Sequence, residues 1–227
     1  MCQQIGHSVA HPTPVTTPGG RTPYSTSART TSVCGRLSKT ERLCQTLLDL
    51  LPSDADLEVV FNTNYCAVLL SAMMTWISKE DLQSSKQMER LPPMDRSRPV
   101  SIARRLMYIA VCLQQLDPDF DHSKLNIVSS PRARLERILS VVSTLVLADD
   151  ELVTSVEGIE CLVLQGMYSI NDGTPRRAWL TFRRALNLAQ LVGLKRQSSA
   201  SGINGRRLWL QLIQGDRYLV CSLPPEC

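Results

Sequence analysis

The stretch from Glu151 to Gly193 constrains the fold more than any other part of the chain, because its apolar residues and its helix breakers tell the same story. From Leu152 to Ile170 the apolar positions Val156, Ile159, Val163, Met167 and Ile170 recur at steps of three and four, the period of one helical face. Asn171-Asp172-Gly173 then supplies a stop, with Gly173 suited to the left-handed conformation that closes a helix. Thr174-Pro175 supplies a start, with Thr as cap and Pro in the first turn. The next helix carries Ala178, Phe182, Ala185, Ala189 and Val192 on its inner face, flanked by Trp179 and Leu186, and ends at Gly193. Small residues on that face let two helices approach closely, so 152–193 is predicted to be an antiparallel helical hairpin. Trp179 and Phe182 are expected to be core knobs, with Arg183 and Arg184 solvated on the opposite side.

The remainder reads the same way. Ser38 or Thr40 can cap a helix through ERLCQTLLDLL that Pro52 stops, and Ser53-Asp54-Ala55-Asp56 opens another that continues towards Trp76 with a break near Asn62–Asn64. A polar, proline-containing loop fills 78–99. Val100–Leu116 is predicted to be amphipathic, with Ile102, Leu106, Ile109, Ala110 and Leu113 inward and Arg104, Arg105 and Gln115 outward. Further helices are expected over Arg132–Leu147, with Ser130-Pro131 at its start, and over Arg206–Val220, with Leu208, Trp209, Leu212 and Ile213 apolar, following a loop at 198–205. Aromatics make up only 5% of the chain and glycine is scarce at 11 residues, which disfavours a sandwich or barrel and leaves an all-α bundle of antiparallel hairpins. Residues 1–36, rich in Ser, Thr, Pro and Gly, cannot bury enough apolar surface to fold, so a disordered linker is expected there and a folded domain over 37–227. The sequence stops just after a helix, and the domain is expected to be C-terminally incomplete.

Chemistry-bearing motifs are absent. The eight cysteines form no C-x-x-C, so no thiolate zinc site is expected, and with no export signal they read as reduced, mostly buried thiols. Asp117-Pro-Asp119-Phe-Asp121 opens like a calcium loop, but His122 stands where Gly is required and Val128 where a bidentate acid is required. His7 and His11 have the spacing of a helical metal pair, but Pro12 and Pro14 argue against a helix. With three histidines, no phosphate loop, no nucleophile elbow and no H-E-x-x-H, the chain is not expected to be an enzyme, to bind a cofactor or metal, or to enter a membrane. The net charge of +4 is too small to imply nucleic-acid binding. It is unevenly spread: Asp149, Asp150, Glu151, Glu157, Glu160 and Asp172 are the charges between 138 and 175, whereas Arg176, Arg177, Arg183, Arg184, Lys195, Arg196, Arg206 and Arg207 are those between 176 and 207. Neighbouring helices are expected to complement one another through these blocks.

The stretch SVEGIECLVLQGMYSINDGTPRRAWLTFRRALNLAQLVGLKR resembles the signature of the fungal-specific transcription factor domain, the middle homology region of fungal zinc-cluster transcription factors. The likeness rests on Gly173, Arg176, Arg177, Ala178, Trp179, Ala185, Leu186, Ala189, Gln190, Gly193 and Leu194, with Arg206, Arg207, Trp209, Asp216 and Arg217 matching the family's next helix. LLDLLPS at 47–53 and RPVSIARRLMYIAVCLQQLDP at 98–118 are similar to earlier segments, so the resemblance spans about 37–227. It implies a nuclear regulatory region that controls transcription by RNA polymerase II by restraining or exposing activation and dimerisation surfaces. Its implied partners are transcription machinery or co-regulators and a second copy of the chain. DNA and zinc would be bound only through the family's separate N-terminal six-cysteine cluster, whose spacing this chain lacks. Gly173, Pro175, Ala178, Trp179, Phe182, Ala185, Gly193, Asp216 and Arg217 are expected to be structural. A competing expectation is a helical-repeat scaffold, since A-W-x-x-F-x-x-A-L resembles one tetratricopeptide unit, though no second copy is evident.

Overall fold

The structure, a computed structural model, describes residues 37–63, 91–125, 130–196 and 202–222. The expected disorder of 1–36, the His7–His11 pair, the helix beyond Thr63, the loop over 78–90, Val128 and the close at 223–227 lie outside the described residues. The chain divides into two units, Met1–Arg36 and Leu37–Cys227, and every described element belongs to the second. No strand occurs among the described residues, and the architecture is all-α.

Eight α-helices are described: α1 (Lys39–Leu48), α2 (Asp54–Thr63), α3 (Pro99–Gln114), α4 (Pro131–Val142), a single turn α5 (Asp150–Val153), α6 (Val156–Asn171), α7 (Pro175–Leu191) and α8 (Gly202–Ser222). Ser38 caps α1 in a reciprocal box: its Oγ accepts from the Glu41 amide at 3.1 Å, while Glu41 Oε2 accepts from the Ser38 amide at 2.7 Å. The Ser38 amide, and then its hydroxyl, hold the Glu41 carboxyl below its ordinary pKa. Ser130 caps α4 through the Ala133 amide, with Pro131 in the first turn as the sequence predicts. Arg134 then reaches from α4 to the end of α1, donating to the carbonyls of Leu50 and Leu51 at 3.2 and 3.0 Å. These carbonyls lie just past the helix, in the turn that follows its C-cap at Asp49, whereas the helix's own last carbonyls at Gln45, Leu47 and Leu48 are met by the amides of Asp49, Leu50 and Leu51.

α3 is the central rod. It is buried along most of its length from Pro99 to Leu113, and it packs against α1, α2, α4 and α6. A helix covered on all sides must be largely apolar on all sides, and this one is, apart from its arginines, the terminal Gln114 and the buried Ser101, whose hydroxyl accepts from the Asp95 amide at 3.0 Å. Arg105 is half-buried, and burial lowers its pKa. Arg104 is buried, which corrects the outward placement expected of it.

Two predicted helices are interrupted. Past Val142, α4 widens into a π-helical turn over Ser143–Leu147 instead of running on regularly. The helix expected from Leu152 breaks at Thr154-Ser155. Thr154 leaves the helical region, Ser155 is extended, and its hydroxyl accepts from the Gly158 amide at 3.1 Å to start α6 afresh. Ser155 was available as a cap, but the apolar period carries through it and hides the break.

Candidate functional site

α6, α7 and α8 converge on Phe182. The α6–α7 hairpin is the most extensive pair among the described helices, and α8 lies along α7. Ala178, Ala185 and Ala189 are fully buried on the inner face of α7, alongside buried Phe182, Leu186 and Leu188. Leu208, Leu212 and Leu219 approach from α8. The Phe182 ring is gripped from both edges. A Cβ on Gly166 of α6 would stand 2.5 Å from Phe182 Cε2, and one on Gly215 of α8 would stand 2.6 Å from Cε1. No Cβ fits at such distances, so the ring occupies space that two residues without side chains provide. Phe182 is singled out by the sequence pattern, but neither glycine is. The available signal was a glycine within each helical period, which costs about 1 kcal/mol relative to alanine and so points to a close approach.

The turn between α6 and α7 is closed by Gly173 at φ 70°, and α7 ends at Gly193 with φ 71°, the left-handed conformation expected at both places. The Thr174 side chain does not cap α7. Its hydroxyl donates backwards to the Ser169 carbonyl at 3.0 Å, and its amide donates to the same oxygen at 2.9 Å. The residue therefore finishes α6 rather than starting α7. Pro175, Arg176 and Arg177 are exposed beside it.

The arginines of α7 are not simply solvated. Arg183, 49% exposed at its side chain, places Nε 2.7 Å from Asp216 Oδ1 of α8, a close ionic contact that lacks the alignment of a full hydrogen bond. Its guanidinium also stands 5.4 Å from the Trp179 ring centroid. The buried Trp179 indole N–H finds no acceptor among the described residues. Arg184 pairs with Asp150 of α5 through Nε at 3.2 Å and Nη2 at 2.6 Å. Arg206 and Arg217 are exposed, while Arg207 and Trp209 are half-buried.

A second cluster lies where α3 meets α6. Arg104 Nη1 donates to Glu160 Oε2 at 2.9 Å, and Nη2 donates to the Pro93 carbonyl at 2.7 Å while standing 3.4 Å from Glu157 Oε1. Arg98 Nη2 approaches Glu157 Oε2 at 2.8 Å from the surface. Glu160 is fully buried. Beside it, the buried Cys161 thiol points at the Val100 carbonyl at 3.8 Å, and burial pushes its pKa well up, so it is held as a neutral thiol. Cys44 and Cys112 are buried too, and Cys221 is exposed. Further along, Gln114 donates to the Tyr168 carbonyl at 3.1 Å and accepts from Asn171, so α3 and α6 run side by side in the same direction. The acidic block thus divides: Asp150 meets the basic helix α7, whereas Glu157 and Glu160 turn to α3.

Among the described residues no group of three or more His, Cys, Asp or Glu is placed to hold a metal ion. The Asp117 and Asp121 carboxylates accept from Asp119 and Ser123 within their own turns. No described helix is long and apolar enough to cross a membrane.

No family model and no solved structure matches the chain. Curated proteins do. It is 32% identical over 206 residues to the "Dehydrocurvularin biosynthesis regulator" of Aspergillus terreus, covering 83% of this chain and 28% of that protein. It is 38% identical over 168 residues to "Transcription factor sdnS" of Sordaria araneosa, covering 72% of this chain and 21% of that protein. It is 37% identical over 143 residues to "Transcription factor eupR" of a Phoma species, covering 59% of this chain and 30% of that protein. These relatives are named as regulators and not as enzymes, in agreement with the non-enzymatic reading of the sequence. The chain is therefore related to fungal transcription factors and biosynthesis regulators, and spans between 21% and 30% of the length of these three relatives.

Proposed function

We propose that the chain is a regulatory region of a fungal transcription regulator: a helical bundle of the middle-homology type, acting in the nucleus on transcription by RNA polymerase II. The observation that carries this reading is the 32% identity to a biosynthesis regulator across 83% of the chain. The bundle supports it through what it offers: a packed hairpin and paired charges, with Cys44, Cys112 and Cys161 buried rather than presented at the surface. Contact with DNA, and the zinc that goes with it, belongs to a six-cysteine cluster whose spacing is absent from this sequence. The residues of the resemblance act structurally. Gly173 and Gly193 set the ends of the hairpin, Ala178, Phe182, Ala185 and Ala189 close it, and Asp216 ties α8 to it through Arg183. Co-regulators, the transcription machinery or a second copy would meet its outer faces.

The test is fusion of the whole chain to an unrelated DNA-binding domain, with reporter output measured in a fungal host. Output is expected to rise or fall relative to the DNA-binding domain alone, and the effect is expected to disappear with Phe182→Ala. Output unchanged in either direction would count against a regulatory role.

A further inference from the structure

Beside the Phe182 junction, between the C-terminal half of α6 and one face of α8, lies a cleft of about 320 Å³. Its floor is apolar: Val163 and Phe182 are buried, Met167 and Ile170 are half-buried, and Gly215 contributes no side chain. Its rim carries Asn171, Gln211, Gln214 and Tyr218, which are two kinds of neutral hydrogen-bonding group, amide and phenol. Among the described residues, no Asp, Glu, Lys or Arg lines it. The other clefts differ. The one between α4 and α6 is lined by Glu136, Asp172 and Arg177, and the one at the foot of α1 and α4 by Asp49, Arg134 and Arg137.

Three features select the occupant. First, the volume lies at the lower end of small-molecule sites, which run from about 300 to 1,000 Å³ and typically combine an apolar wall with a few placed polar groups. Second, an ion entering this cleft would lose hydration and meet no counter-charge, so the occupant is uncharged. Third, the Phe182 ring is seated between Gly166 and Gly215 and already forms part of the floor, so the apolar wall is present before anything binds. A protein partner fits less well: stable interfaces use about 20–30 residues a side, whereas nine residues line this cleft.

We infer that this cleft binds one small, uncharged, predominantly apolar molecule, ring-sized and bearing one or two hydrogen-bonding groups that meet the amides of the rim. Its occupancy acting on transcription rests on the regulatory reading above, whereas the binding itself does not.

Purified full-length chain would be titrated with N-phenyl-1-naphthylamine, a neutral fluorescent probe, and with its anionic relative 1-anilinonaphthalene-8-sulfonate. The neutral probe is expected to bind saturably at one site per chain, at least about tenfold more tightly than the sulfonate. Gln214→Trp, at the rim, and Ile170→Trp, at the floor, are each expected to weaken it by about tenfold or more, the scale of one lost apolar contact. Circular dichroism checks that each variant is folded, and Gln214→Trp keeps the test decisive if Ile170→Trp does not fold. Equal affinity for the two probes would overturn the assignment, as would unchanged binding in folded Gln214→Trp. So would light scattering that finds a dimer which Gln214→Trp splits, because a second copy would then fill the cleft. Intact, rim-sensitive binding together with a silent reporter fusion would sink the regulatory reading and uphold the cleft, and the reverse result would do the opposite.

Discussion

The α3–α6 interface and the α6–α7–α8 junction solve one problem, helix against helix, by opposite means. At the first, the rods are held in register by a buried charge pair, with Arg104 bracketed by Glu160, Glu157 and the Pro93 carbonyl. At the second, no fully buried charge occurs among the described residues. Shape decides, through one ring seated on two glycines, and the ionic tie from Arg183 to Asp216 lies near the surface. The first device resists any sliding that would strand a charge without its partner. The second tolerates polar change around it but not an added methyl group.

The largest effect that separates the two is expected at the buried pair. Glu160→Ala leaves the Arg104 guanidinium buried beside the more distant Glu157, and loss of about 3–5 kcal/mol is expected in urea unfolding. The double variant Arg104→Met with Glu160→Leu is expected to recover most of that, because an apolar pair of similar size leaves no fully buried charge alone and Glu157 keeps Arg98 as its partner. A double variant as unstable as the single one would mean that the pair adds stability outright rather than fixing register.

Next comes the glycine seat. Gly166→Ala is expected to cost about 1–2 kcal/mol net, as overpacking against the Phe182 ring outweighs the gain in helix propensity. In a Phe182→Leu background the same change is expected to become neutral or stabilising, and a double-mutant cycle reads that change of sign. Additive effects would break the idea that ring and glycine form one device. The smallest effect is expected at Arg183→Ala, less than about 1 kcal/mol at low salt, since one partner is half-exposed. The difference should vanish at about 1 M salt, where screening reaches within roughly 3 Å. A salt-independent loss would locate the contribution in the stacking on Trp179 instead.

The two regions are unequally legible in the sequence. The hairpin can be read nearly to the residue, because Gly173, Pro175 and Gly193 are local punctuation and local geometry answers it. The junction is half legible: Phe182 stands out by type, but Gly166 and Gly215 matter only through a ring on another helix. The buried pair reads wrongly. Arg104 looks like the polar side of an amphipathic helix, and only the burial of α3 on every side makes that placement untenable. The clue lies elsewhere, in Glu160 amid an apolar run and in a basic-free segment that has to find its cation from another helix. The Thr154-Ser155 break escapes notice because the apolar period continues across it, and Thr174 because a hydroxyl beside a turn can serve the helix on either side.

One helix belongs to both regions. α6 carries Glu157 and Glu160 near its start and Gly166, Met167 and Ile170 towards its end. Its 16 residues make a stiff beam of about 24 Å at 1.5 Å per residue. The near end is pinned by charges that cannot be stranded, and the far end rests on a ring with no slack. A wedge set under the far end would tilt the beam about its pinned end, and the strain would surface at Arg98, where the carboxylate of Glu157 meets solvent.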